Sequence, residues 1–418
     1  MMTKNILYRY FTFLCVLANL THNLHAQSVD LRSNKNLVIN QIFVGQTLKN
    51  YTSQQLDSLI RKLWSERDSL FEQHQNGPKP CIDIPYYYAS CMYDISLMIR
   101  TKLTGSEPWK RLMDEVKERT PLPKSEDLEQ SVWAARYLDV YVDNALTDAF
   151  LETRTKGDSY LSDLLQQPLD TLKQLAGAYG ERILGGFLAK HVLHSELAAF
   201  YLEGHLKKSI ANKELIPAKL YLTEFERLSA SGPRRLSGYR IQIAALEKSI
   251  AVARENPKIV FLDHSEEIET LAELIEPFHG KVVYLDIWGS WCGPCVAEIR
   301  EHVPVLKERF RKNADVVFLY LAMESPQNMD KWKEFIYGNQ LEGHHIVMTD
   351  TQIESIWVKL LGTENVPRRY PSYFVFDRSG TLQLSDALRP SDGEELYLQL
   401  ESVLAIPQKK SNMALRKD

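Results

Sequence analysis

Lys281 to Ile299 reads KVVYLDIWGSWCGPCVAEI, and the fold turns on how this stretch is read. Val282 to Trp288 is rich in β-branched and aromatic residues, as a strand is. Val296, Ile299, Val303 and Leu306 then recur at helical spacing. Between the two lies Trp291-Cys292-Gly293-Pro294-Cys295. Two cysteines with two residues between them at a helix start are near enough to close a small disulfide. The first thiol faces unpaired backbone N–H groups and the positive end of the helix dipole, both of which favour the thiolate. Cys292 is therefore the predicted nucleophile. Cys295, one turn in and more buried, is predicted to stay a thiol until it attacks the mixed disulfide. Pro294 costs little in the first turn, where its missing N–H would have had no partner.

Working outward, Ile259 to Leu262, Val316 to Ala322 and Ser372 to Phe376 are further short runs of strand character. Helical patterns at 265–277, 294–312 and 328–338 alternate with them, and Glu394 to Leu404 adds a terminal helix. Strands alternating with helices predict an α/β domain with a central sheet over 257–408, followed by a basic tail at 409–418. Upstream of Asn256-Pro257 the pattern changes. Thr52 and Gln55 have capping-box spacing, and Leu56, Leu59, Ile60, Leu63 and Trp64 follow on one helical face. Similar patterns recur from Tyr86 to Leu103, Glu126 to Glu152, Leu169 to Leu206, Glu214 to Leu228 and Tyr239 to Arg254. Residues 27–256 are thus predicted to be mostly helical, an all-α region of unassigned role, with one strand-like run at Leu37 to Val44. No fixed repeat period appears, so a regular solenoid has no support.

At 418 residues the chain should hold two or three domains. Fifty lysines and arginines against 54 acids leave a net charge of −4, which gives no electrostatic footprint for nucleic acid. Lys4 and Arg9, then the apolar run Tyr10 to Leu20, then Leu24-His25-Ala26, read as a signal peptide over 1–26. The run falls short of the roughly 20 residues that span a bilayer, so cleavage is preferred to a retained membrane anchor. The expected location is the periplasm or another extracytoplasmic space. The mature chain keeps four of the five cysteines: Cys81, Cys91, Cys292 and Cys295.

In these residues the C-terminal region resembles the thioredoxin superfamily, and most of all its TlpA/ResA-like branch of periplasmic thiol-disulfide oxidoreductases. The resemblance covers about 259–405 and implies a thioredoxin-like fold. It implies that Asp286, six residues before Cys292, is the buried acid that helps deprotonate the second cysteine. A desolvated acid on the entering strand would indeed have a raised pKa. Glu298, three residues after Cys295, matches an acid that tunes the titration of the site. Tyr370-Pro371 matches the cis-proline loop, which would offer the backbone of Tyr370 to a substrate strand. Trp291, Gly293 and Pro294 complete the substrate-facing loop. The chain departs from the pattern in three ways. Tyr370 replaces a smaller threonine or isoleucine, Arg300 stands where proline is common, which would move any kink to Pro304, and the segment from Cys295 to Pro371 is longer than in a minimal thioredoxin.

The implied activity is disulfide exchange with exported proteins, expected to run as reduction rather than oxidation, with a membrane thiol donor restoring the dithiol. One alternative is a helical ligand- or partner-binding protein with an accessory thioredoxin-like domain. Another is a peroxiredoxin-like peroxidase, which would need threonine where Gly289 stands. A zinc site would have to recruit Cys81 and Cys91 from another domain, and c-type haem needs histidine where Val296 stands, so no metal, haem or other cofactor is assigned. Cys81 and Cys91 are expected to form a structural disulfide. His191, His194, Glu196 and His205 are read as packed or solvated helical residues, and His344-His345 as strand neighbours pointing to opposite faces.

Overall fold

The computed structural model describes residues 31–32, 34, 36–45, 52–75, 82–100, 107–228, 233–262, 267–362 and 367–407. The expected signal segment, Cys81 and the basic tail lie outside the described residues. The chain divides into two compact units. The described residues of the first lie within 20–209 and 216–240, those of the second within 210–215 and 241–418.

The first unit is helical. Ser53–His74 opens with the capping box read from sequence: Thr52 accepts from Gln55 N while the Gln55 side chain accepts from Thr52 N. Asp83–Arg100 packs against Val132–Lys156 through the rings of Tyr93, Tyr137 and Tyr141. The run expected as a strand at Leu37 to Val44 is instead a helix, Val38–Gly45. Its β-branched residues are outweighed by a tertiary partner. The Glu66 carboxylate accepts from Val38 N at 2.8 Å and Ile39 N at 3.4 Å, placing negative charge on a helix N-terminus. Cys91 is a free, buried thiol rather than half of the expected bridge. It points inward from the middle of Asp83–Arg100, and burial pushes its pKa up. His205 lies between Tyr201 and Tyr221 and is 3.2 Å from Asp139.

The second unit is built on a six-stranded sheet of order β1-β4-β3-β2-β5-β6. The strands are β1 Ile259–Phe261, β2 Val282–Trp288, β3 Val316–Met323, β4 Gly343–Met348, β5 Ser372–Phe376 and β6 Leu382–Leu384. β1, β4, β3 and β2 run parallel, and β5 and β6 are antiparallel additions. Every residue of β2 is buried. Alternation sends Val283, Leu285 and Ile287 into the core against Asp350–Leu361, and Val282, Tyr284 and Trp288 into the core against Gly293–Glu301 and Glu394–Leu404. A strand dry on both faces reads as a continuous apolar run, which is why it stood out in the sequence. His344 and His345 do point apart, the first onto Phe278 and the second onto Tyr320.

Two details depart from the sequence pattern. Asp350–Leu361, introduced by the Thr349–Gln352 capping box, was not picked out as a helix. The helix expected over 294–312 is two, Gly293–Glu301 and Val303–Phe310, separated at His302 with Pro304 in the first turn of the second. The break therefore sits just before Pro304, as the displaced proline suggested.

Leu285 is fully buried in the middle strand. Leu285→Ala should cost about 2–5 kcal/mol, read as a lower urea midpoint for the second unit. Val305→Ala, at a side chain that is 61% exposed, should change stability by less than about 0.5 kcal/mol. Equal effects from the two would contradict this assignment of the core.

Candidate active site

The site begins where β2 ends. Gly289 and Ser290 turn the chain, and Cys292 N donates to Gly289 O at 3.0 Å. A Cβ on Gly289 would lie 2.5 Å from the Trp291 indole, so only glycine lets that ring fold back over the turn. Cys292 is the N-cap of Gly293–Glu301, and Pro294 lies in the first turn as expected. The two cysteines are joined: Cys292 and Cys295 form a disulfide with their Cα atoms 5.3 Å apart.

Cys292 also accepts from Cys295 N at 3.3 Å, so its sulfur occupies the position of a helix-capping acceptor. That placement would favour a thiolate once the bond is reduced. The difference in exposure expected between the two cysteines is not present in the disulfide form, where they are 2% and 1% exposed. The bond ties Cys292 down over the first turn, and both sulfurs are covered.

Asp286 is buried, and strand alternation puts it on the dithiol side of the sheet with Tyr284 and Trp288. Its register partners on either side are Tyr320 of β3 and Tyr373 of β5. Among the described residues, Asp286 Oδ1 and the hydroxyls of both tyrosines are buried without a hydrogen-bond partner. Desolvation raises the Asp286 pKa well above the usual carboxylate range, and the negative charge of Glu298 raises it further. The expected buried acid is thus in place, and its environment favours the protonated form.

Glu298 is buried as well. It accepts from Ser391 N at 3.0 Å and from Ser391 Oγ at 2.7 Å, which fixes it against the turn Pro390–Asp392. Tyr370-Pro371 is a cis peptide bond at the entry to β5. The Tyr370 ring meets Trp291 edge-on at 5.2 Å and Trp357 at 5.7 Å, and its hydroxyl is 3.5 Å from Met323 Sδ. The bulky residue before the proline therefore stands in an aromatic wall beside the dithiol loop. The Trp291 indole donates to Met323 O at 2.8 Å.

The structure thus gathers all the predicted C-terminal site residues at one end of the sheet: Cys292, Cys295, Asp286, Glu298, Trp291, Gly293, Pro294, Tyr370 and Pro371. Sequence reasoning did not single out Ser391, Met323 or Glu324. The last two lie at the C-terminal end of a parallel strand, where α/β sheets place their sites, and that position was the available signal.

The raised pKa of Asp286 has a consequence for stability. An acid whose pKa is higher folded than unfolded holds its proton more tightly in the native state, so stability falls as pH rises above the unfolded value of about 3.9. The loss accumulates until the pH passes the raised folded value. Asp286→Asn should therefore be more stable than the parent at pH 8, with the advantage shrinking towards pH 4, in denaturant titrations at both pH values. A pH-independent difference would contradict the buried, protonated assignment.

Residues 253–393 match the Redoxin family model. The thiol-disulfide oxidoreductase ResA of Bacillus thuringiensis subsp. konkukian is 25% identical over 159 residues, covering 38% of this chain and 79% of the relative. ResA of Bacillus anthracis is 26% identical with the same coverage. Among solved structures, a putative thiol-disulfide oxidoreductase from Bacteroides vulgatus shares 26% identity over 32% of this chain and 80% of its own, with a TM-score of 0.26. A putative thiol:disulfide interchange protein DsbE from Chlorobium tepidum shares 24% over 31% and 84%, with a TM-score of 0.25. With a disulfide-forming CxxC pair at a helix start and a Redoxin match over the same residues, the C-terminal region is a thioredoxin-like Redoxin domain, similar to the ResA thiol-disulfide oxidoreductases.

Proposed function

We propose that this oxidoreductase is exported and works as a reductase of disulfides in other exported proteins, with its electrons supplied by a thiol donor in the membrane. The observation that carries the reading is the Cys292–Cys295 pair capping a helix, with a buried acid on the same side of the sheet. The 1–26 segment supports export. Gly293-Pro294 between the cysteines supports a reducing poise.

The chemistry follows from the site. In the reduced form the Cys292 thiolate attacks one sulfur of a client disulfide. A mixed disulfide forms, and the second client sulfur leaves as a thiolate that takes up a proton. Once Asp286 has released its own proton to solvent, it accepts the Cys295 proton as a stronger base than an ordinary carboxylate, because its pKa is raised. The Cys295 thiolate then attacks Cys292 Sγ, releasing the other client thiolate and closing the disulfide seen here. Two electrons have moved to the client, and the donor must return two. Tyr370 and cis-Pro371 would hold the client strand beside the sulfurs through its backbone.

The test is the equilibrium of the pair with a thiol buffer of known potential. A value near the roughly −270 mV of thioredoxin is expected, whereas one near the roughly −120 mV of a strong disulfide donor would reverse the proposed direction. Cys295→Ser should also accumulate mixed disulfides through Cys292, visible on non-reducing gels, and Cys292→Ser should accumulate none. Equal trapping by both variants would overturn the assignment of nucleophile and resolving thiol.

A further inference from the structure

Parallel pairing of β2 with β3 ends at Trp288 and Ala322, so the two chains leave the sheet side by side. From β2 the chain enters the turn before Cys292. From β3 it passes through Met323 to Glu324, a residue that the disulfide-exchange steps above do not use. Glu324 is only 5% exposed, and its carboxylate accepts the backbone N–H of Ser290, itself buried. The preceding residue accepts the Trp291 indole N–H at 2.8 Å. Both residues immediately before the nucleophile are thus held by the end of β3. Glu324 is anchored in turn, because its own N–H donates to Met348 O of β4 at 3.3 Å.

A buried carboxylate is costly, and the turn could have been tied down by a neutral side chain. A carboxylate makes a stronger, charge-assisted bond to the amide. We propose that Glu324 is a positioning residue for disulfide exchange: by clamping the Ser290 N–H it fixes the turn that carries Cys292 and favours the disulfide over the dithiol. The proposal rests on the reading of Cys292–Cys295 as the redox pair.

The direction follows from what each redox state needs. In the disulfide, Cys292 must stay over the first turn of Gly293–Glu301, and a fixed turn keeps it there. In the dithiol that tie is gone, so the same restraint contributes less. Burial holds the Glu324 pKa above the usual carboxylate range, even though the Ser290 N–H, Lys331 and Asn328 pull it down.

The experiment measures, in the full-length protein, the equilibrium with dithiothreitol at fixed pH for the parent, Glu324→Ala, Glu324→Gln and Glu324→Asp. Glu324→Ala should shift the equilibrium about tenfold towards the dithiol, which corresponds to about 30 mV. Glu324→Gln, whose amide oxygen can still accept from Ser290, should stay within about threefold of the parent. Urea titrations should show the oxidised form losing more stability than the reduced form. If Glu324→Ala destabilises both forms equally and leaves the equilibrium unmoved, or moves it towards the disulfide, the proposal is wrong. It is equally wrong if Gln behaves like Ala. Should Glu324→Ala not fold, Glu324→Asp, which keeps the charge and shortens its reach, must shift the equilibrium in the same direction. A parent that does not equilibrate with dithiothreitol at all would sink the redox reading instead.

Discussion

Taking a carboxylate out of water without a matching cation costs several kcal/mol, so an acid in a strand that is dry on both faces is driven towards its neutral form. Asp286 is in that position. Its strand neighbours Val283, Leu285 and Ile287 belong to one core, Val282, Tyr284 and Trp288 to the other, and the charge that bears on it comes from a second acid, Glu298. The arrangement makes Asp286 a proton holder whose affinity lies well above that of a surface aspartate. The same two-sided burial fixes where β2 ends, and hence where the cysteine turn begins.

Around this strand the site distributes its polar groups by function. Glu298 has both oxygens held by Ser391 and acts on Asp286 at a distance. Cys292 replaces an oxygen cap with sulfur, so the helix that would ordinarily be closed by serine or aspartate is closed by the reacting atom. Tyr370 fills the space beside the loop with an aromatic ring packed on Trp291 and Trp357. A client that pairs with the backbone next to Pro371 would do so against that wall.

Much of this was legible in the chain because the signals were local. Strand β2, the CxxC turn, the buried acid six residues upstream and the Tyr370-Pro371 loop each announce themselves within a few residues. What was hidden depended on distant partners. Val38–Gly45 reads as a strand until Glu66, 28 residues away, is seen to cap its amides. Cys91 looks like half of a loop-closing bridge until its helix turns it into the core. Glu324 carries no motif, and its bond to Ser290 spans 34 positions through a strand pairing that the sequence does not display. The helix break at His302 lay between these extremes: Pro304 marked a discontinuity, but not that two separate helices would result.

The strands at the two margins of the sheet, β1 and β6, have three residues each. An exposed strand edge is a template on which another chain can add itself, and the hazard grows with the length of flat ladder on offer. Among the described residues an incoming strand would find a margin strand of only three residues on either side. Under the proposed exchange with client polypeptides at the cysteine end, the flanks of the sheet would offer those clients little to polymerise on.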